Sequence, residues 1–114
     1  MNRKVQALER RIQRTKEKLA SLGELRPGNL SEQYNACGTT TCRCKAEPPQ
    51  RHGPYYQLGW TRNRKSTTRF VRRTELAPVR RQLKNYAALQ RLVDEWIDLS
   101  IQLCELKRSE AKKM

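Results

Sequence analysis

The sequence predicts an α+β protein: two long amphipathic, coiled-coil-like helices flanking a small Cys/His-stapled β-hairpin module. Three observations lead there. Apolar residues recur at heptad spacing at both ends of the chain. The single histidine and three of the four cysteines crowd into one short loop, and aromatic and β-branched runs follow it. At 114 residues, 36% hydrophobic and 32% charged, the chain is one domain long and poor in core-forming side chains. Its stability must draw on helix pairing, a metal or a partner chain. The segments divide as 1–24, 25–73 and 74–114.

The first segment reads as a helix from Asn2 to about Leu22. Val5, Leu8, Ile12, Leu19 and Leu22 form one seam, with Thr15 at the position where another apolar residue would stand. Gly23 is the expected stop. The last segment reads as a helix from about Pro78 to Lys112, capped near Thr74 or Ala77. Leu89, Leu92, Trp96, Leu99, Leu103 and Leu106 make its pairing row, and Val79, Leu83, Tyr86, Val93 and Ile97 a second one. Cys104 lies beside these rows and reads as core packing. Two seams imply an antiparallel helical hairpin, a homodimer, or both, with Val5, Leu8, Ile12, Leu19, Leu92, Trp96, Leu99 and Leu103 as pairing residues.

Between the helices, Arg26-Pro27-Gly28-Asn29 marks a turn and residues 30–34 alternate like a short strand. Residues 55–61 and 66–71 read as the two strands of a hairpin joined through Arg62-Asn63-Arg64-Lys65. Alternation puts Tyr56, Leu58 and Trp60 on one face, and Tyr55, Gln57 and Thr61 on the other. Tyr56, Leu58, Trp60 and Phe70 are the expected mini-core against a helix.

Cys37, Cys42, Cys44 and His52 follow the pattern C-x4-C-x-C-x7-H. Three thiolates and an imidazole satisfy tetrahedral zinc, and a loop with little to bury gains most from a metal. The spacing departs from the usual C-x-x-C knuckle, because C-x-C on an extended strand sends its side chains to opposite sides. Reduced thiols packed in a turn, or a redox pair, are the competing readings.

Lys and Arg number 25 against 11 Asp and Glu, a net charge of +14. Residues 45–73 alone hold eight basic residues and one acid, whereas residues 74–114 hold eight and six. Such a patch points to a polyanionic partner. The candidate contacts are Arg51, Tyr55, Arg62, Arg64, Lys65, Thr67, Arg69, Arg72 and Arg73, with Arg10 and Arg14 on the first helix. A two-stranded ribbon fits the DNA major groove, while the aromatics alternatively stack on unpaired bases, so DNA stands ahead of RNA.

Other classes find little support. The one histidine is wanted by the cysteine cluster, and Asp94, Glu95 and Asp98 read as the solvated side of a helix, so no catalytic residues are expected. No apolar run approaches a membrane span, and a charged helix pattern follows Met1 where a signal peptide would be apolar. The expected setting is cytoplasmic, on the nucleoid, without membrane contact.

Several motifs carry a resemblance. Arg26-Pro27-Gly28-Asn29-Leu30-Ser31, Cys37-Gly38 with Cys42-Arg43-Cys44, His52-Gly53-Pro54-Tyr55-Tyr56 and residues 65–71 resemble a family of small bacterial and archaeal proteins associated with mobile elements. The likeness covers Arg26 to about Leu99. The hairpin is also similar, more weakly, to the arm-type DNA-binding domain of tyrosine integrases, without their catalytic set. The resemblance implies a DNA-binding accessory of a mobile element that recruits a transposase or RNA-guided effector. The alternative is an RNA-binding adaptor subunit that docks by its helices onto a larger nucleoprotein effector.

Overall fold

The computed structural model describes residues 2–35, 39, 41–46 and 52–113, with the backbone alone at Asn35, His52 and Lys113. Helix α1 spans Arg3–Ala20, strand β1 Asn29–Asn35, β2 His52–Arg62, β3 Lys65–Val71 and helix α2 Leu76–Lys113. Short 3-10 turns occupy Arg43–Lys45 and Arg73–Glu75. The chain clusters into two compact units, Arg26–Leu83 and Met1–Leu25 with Lys84–Met114. The fold is α+β.

The sheet has three antiparallel strands in the order β1-β2-β3, so residues 30–34 form a full edge strand beside the expected hairpin. Leu30 pairs with Leu58 and Leu58 with Arg69; Tyr56 pairs with Glu32 and Val71. One face therefore carries Leu30, Tyr56, Leu58, Trp60 and Val71, and these pack on Leu76, Val79 and Leu83 from the first turns of α2. Leu58 is the centre of this core at 1% exposure.

Phe70 is not part of that core. It pairs with Gln57 on the opposite face and is 74% exposed. The physical reason is register: the turn between β2 and β3 contains only Asn63 and Arg64, which sets Arg62 opposite Lys65 and sends Phe70 to the far side.

Two motif glycines explain why β1 closes onto β2. Gly28 has φ +138°, and a Cβ there would stand 2.8 Å from the Gly59 carbonyl oxygen. Gly53 has φ +143°, and its Cβ would stand 2.8 Å from the carbonyl oxygen of Gln33. Both positions combine a backbone conformation that favours glycine with close approach of a neighbouring strand.

In the other unit, Asn2 caps α1, its Oδ1 accepting from the N–H groups of Lys4 (2.8 Å) and Val5 (3.3 Å). The helix stops at Ala20 rather than at Gly23. Ser21 ends it in an ordinary right-handed conformation, its Oγ donating to Lys18 O at 2.8 Å. Helix α2 likewise starts two residues before Pro78, on the turn in which Arg72 N–H donates to Glu75 Oε2 at 2.8 Å.

Asn85 Nδ2 donates to Glu24 O at 2.8 Å, and Lys16 Nζ lies 5.1 Å from the Trp96 ring centroid. Position numbers fall along α1 as they rise along α2, so the two run antiparallel within this unit. Ile12, Thr15 and Leu99 are buried between them, and Val5, Leu8, Leu19, Leu92 and Leu103 are half-buried. Thr15 holds its seam position by donating its hydroxyl to Arg11 O at 3.0 Å. Cys104 departs from expectation: it is exposed, one row away from Leu99 and Leu103. The second apolar row divides, since Val79 and Leu83 join the sheet core while Val93 and Ile97 stay exposed.

Candidate nucleic-acid interface

The site begins with the hairpin turn. Asn63 (φ 52°) and Arg64 (φ 64°) both have positive φ, the geometry of the two-residue turn that matches strand twist. Asparagine tolerates this conformation; arginine gives up about 1 kcal/mol to adopt it. Arg62 and Lys65 flank the turn as a cross-strand pair. Three exposed cations thus sit at one tip, with like charges directly opposite each other, an arrangement that disfavours the free hairpin. Arg72 and Arg73, also exposed, follow the far end of β3. Lys65 and Arg72 lie seven strand positions apart, about 23 Å. Among the described residues none of these five makes an ion pair; Arg108 with Glu105 at 3.3 Å does.

Between those cationic ends lies the face that α2 leaves open. It carries Asn29, Ser31 and Gln33 from β1, Tyr55, Gln57, Gly59 and Thr61 from β2, and Ser66, Thr68 and Phe70 from β3. None of these is charged. Gln33 Nε2 donates to Gln57 Oε1 at 2.9 Å, and the Thr61 and Ser66 hydroxyls bond at 2.9 Å. A cleft of about 600 Å³ crosses this part of the sheet, with Gly59 on its floor and Asn29, Ser31, Gln57, Ser66 and Thr68 around it. A Cβ at Gly59 would meet nothing nearer than Thr67 O at 3.9 Å. Tyr55 and Phe70 stand exposed at one end.

The remaining candidates are distributed elsewhere. Thr67 and Arg69 alternate onto the helix-covered side of the sheet, as Arg62 and Lys65 do beyond them at the hairpin tip, and there Trp60 takes the Arg26 guanidinium 4.6 Å from its ring centroid and that of Arg69 at 5.9 Å. Arg10 and Arg14 are exposed on α1, in the other unit. Arg51 lies outside the described residues. On β1, the Tyr34 hydroxyl donates to Glu32 Oε1 at 2.7 Å, and this bond raises the phenol above its ordinary pKa, desolvation adding to it.

Of the proposed zinc ligands, Cys37 and the His52 side chain lie outside the described residues. Cys42 and Cys44 frame a 3-10 turn in which Lys45 N–H donates to Cys42 O at 2.9 Å. Cys42 is extended (φ −70°, ψ 144°) and Cys44 lies within the 3-10 turn, so the C-x-C pair spans the start of that turn rather than one continuous strand. Cys44 is buried at 3% exposure without belonging to the apolar cluster of the sheet. Among the described residues no three His, Cys, Asp or Glu side chains gather around a metal position.

Sequence reasoning missed Phe70, Asn29, Ser31, Gly59, Ser66 and Thr68 as members of one surface. The available signal was the hairpin itself: joining residues 61 and 66 through 62–65 sets Thr61 opposite Ser66 and so Phe70 opposite Gln57.

Fold and site together define a small α+β protein with one covered sheet face, one uncharged open face, and cations at the hairpin tip and after β3. Residues 5–81 match the model of the family described as domain of unknown function DUF6788, and the chain belongs to that family. The match begins within α1 and ends in the second turn of α2, and it carries no association with mobile elements or integrases. No curated protein and no solved structure matches the chain. Among the described residues, no helix is long and apolar enough to cross a membrane.

Proposed function

We propose that this chain is a non-catalytic DNA-binding protein that lays the open face of its sheet in the major groove of a duplex. One observation carries the reading: an uncharged strip of amides, hydroxyls and two aromatics lies between a cationic hairpin tip and the two arginines after β3, and none of these five side chains makes an ion pair among the described residues. Gln57 and Asn29 have the amide geometry that pairs with adenine, Thr68 and Ser66 bond to any base edge, and Phe70 suits a thymine methyl. Arg62, Arg64 and Lys65 at one end and Arg72 and Arg73 at the other reach phosphates on the two sides of the groove. The unfavourable backbone of Arg64 supports the same reading, because an arginine kept in a left-handed position is an outlier that invites a functional explanation.

Zinc belongs to the proposal as a structural ion held by Cys37, Cys42, Cys44 and His52. It closes the loop between β1 and β2 and supplies no chemistry. The setting in a mobile element, with a transposase or RNA-guided effector as partner, rests on the motif resemblance alone.

Competition binding tests the reading. Labelled duplex DNA is displaced from the purified protein by unlabelled duplex, single-stranded DNA or RNA of equal length. Duplex DNA is expected to compete best; stronger competition by RNA would favour the adaptor alternative and overturn this one.

A further inference from the structure

Trp60 gathers two arginines on the α2 side of the sheet. The Arg26 guanidinium carbon lies 4.6 Å from its ring centroid and that of Arg69 5.9 Å, so the two are no further apart than the sum of those distances. Separate parts of the chain deliver them. Arg26 lies on the lead-in to β1, its backbone N–H donating to Gln82 O at 3.2 Å, and Arg69 comes from β3, opposite Leu58. Arg69 Nη1 donates to Thr68 O at 3.0 Å, and Arg26 Nε is buried without a hydrogen-bond partner. Each cation gains from the indole, but two like charges brought to one ring repel each other.

Among the described residues no carboxylate offsets that repulsion. In the unit Arg26–Leu83 the described acids are Glu32 and Glu75; the Tyr34 hydroxyl bonds the first and the Arg72 backbone N–H the second. Residues 76–83 of α2, whose apolar side chains pack on this side of the sheet, include exposed Arg80 and Arg81 and no acid. What the pair lacks is an anion. A guanidinium held over an aromatic face still has its N–H donors for an oxyanion, which it takes bidentately. Two guanidinium groups from separate elements suit a tetrahedral phosphate, with oxygens in several directions, better than a planar carboxylate. We infer that Arg26 and Arg69, gathered at Trp60, hold a backbone phosphate of a second nucleic-acid segment. Trp60 and Arg69 face the α2 side of the sheet, whereas Asn29, Gly59 and Thr68 face the open side, so this phosphate belongs to a different stretch of polymer from the one in the groove. The phosphate site stands on the arginine pair alone; that its polymer is a second segment rests on the reading of the open face.

Two measurements on the full chain separate these parts. With Trp96→Phe, Trp60 is the only tryptophan. Inorganic pyrophosphate should change its emission saturably, and Arg69→Ala, at an exposed side chain, should weaken that binding about tenfold. A silent Trp60, or a response that Arg69→Ala leaves unchanged, overturns the site. Next, an end-anchored duplex is loaded with protein and offered a second, labelled duplex. Wild-type protein should retain the label. Arg26→Ala with Arg69→Ala should load the first duplex within about twofold of wild type, at unchanged circular dichroism, yet retain about tenfold less label. Retention that the double variant keeps overturns the inference and leaves the groove reading intact. So does wild-type protein that sits on the first duplex and takes no second one, including one that answers pyrophosphate or a phosphopeptide. Protein that loads no duplex at all overturns the groove reading and, with it, the second segment.

Discussion

Gly28 presses against Gly59: a methyl group at Gly28 would stand 2.8 Å from the Gly59 carbonyl oxygen, with φ at +138°. This contact joins the Arg26-Pro27-Gly28-Asn29 motif to the central strand, and it anchors β1 on the sheet beside Leu58. Gly28→Ala is therefore expected to cost about 2–3 kcal/mol through backbone strain and the forced separation of two strands. Gly23→Ala is the control, because its Cβ would meet only the Asn85 side chain at 3.4 Å, and it should change stability by less than about 0.5 kcal/mol. Urea unfolding of the two variants provides the comparison; equal midpoints would contradict it.

Arg64 stands where glycine is the ordinary choice. Arg64→Gly should raise stability by about 0.5–1 kcal/mol, since relief of the left-handed strain outweighs the added freedom of the unfolded chain. The same change should weaken DNA binding. Thermal unfolding and a binding titration on one variant read both effects, and a loss of stability would remove the strain argument.

Leu58 and Phe70 lie on opposite faces of one sheet and should separate folding from binding. Leu58→Ala opens the core and is expected to cost about 3 kcal/mol. Phe70→Ala should cost less than about 0.5 kcal/mol yet reduce duplex affinity about tenfold, or ~1.4 kcal/mol. A Phe70 variant with full affinity would take the open face out of the interface.

Zinc is expected at one ion per chain in protein purified without added metal. A chelator should lower the unfolding temperature, and Cys44→Ser should lose both the ion and the chelator response. Unchanged unfolding with chelator present would assign Cys42 and Cys44 to turn packing instead.

Tyr34 offers a titration marker for the β1 edge. Its hydroxyl bond to Glu32 raises its pKa in the folded state, so the stabilisation it brings is complete below the ordinary tyrosine value of 10.0 and disappears as pH rises through the folded value. Glu32→Ala should return the Tyr34 ultraviolet titration to lower pH. An identical titration in the variant would exclude the bond.

Much of the architecture was legible because periodicity reports it directly. Ile12, Thr15 and Leu99 sit where the heptad rows put them, and Tyr56, Leu58 and Trp60 face the core as alternation requires. What alternation cannot give is register between strands. Phe70 is expected in the core on its aromatic character alone, yet the hairpin joint through residues 62–65 already pairs Thr61 with Ser66 and Gln57 with Phe70, on the face away from Leu58. Cys104 was misplaced for a related reason. It belongs to a row at helical spacing, but spacing does not reveal whether a neighbour exists to cover that row. The cationic character was plain from composition. Its division between the hairpin tip and the end of β3, with an uncharged face between them, required the paired strands.

Salt dependence of duplex binding measures most directly whether the two cationic ends of the sheet grip phosphates. If Arg62, Arg64, Lys65, Arg72 and Arg73 each neutralise one phosphate, the logarithm of the association constant should fall with the logarithm of salt at a slope of about −4 to −5. Replacing Arg62, Arg64 and Lys65 by alanine should reduce that slope to about −2. A protein that binds no duplex at low ionic strength, or a slope that the triple variant leaves unchanged, would contradict the account.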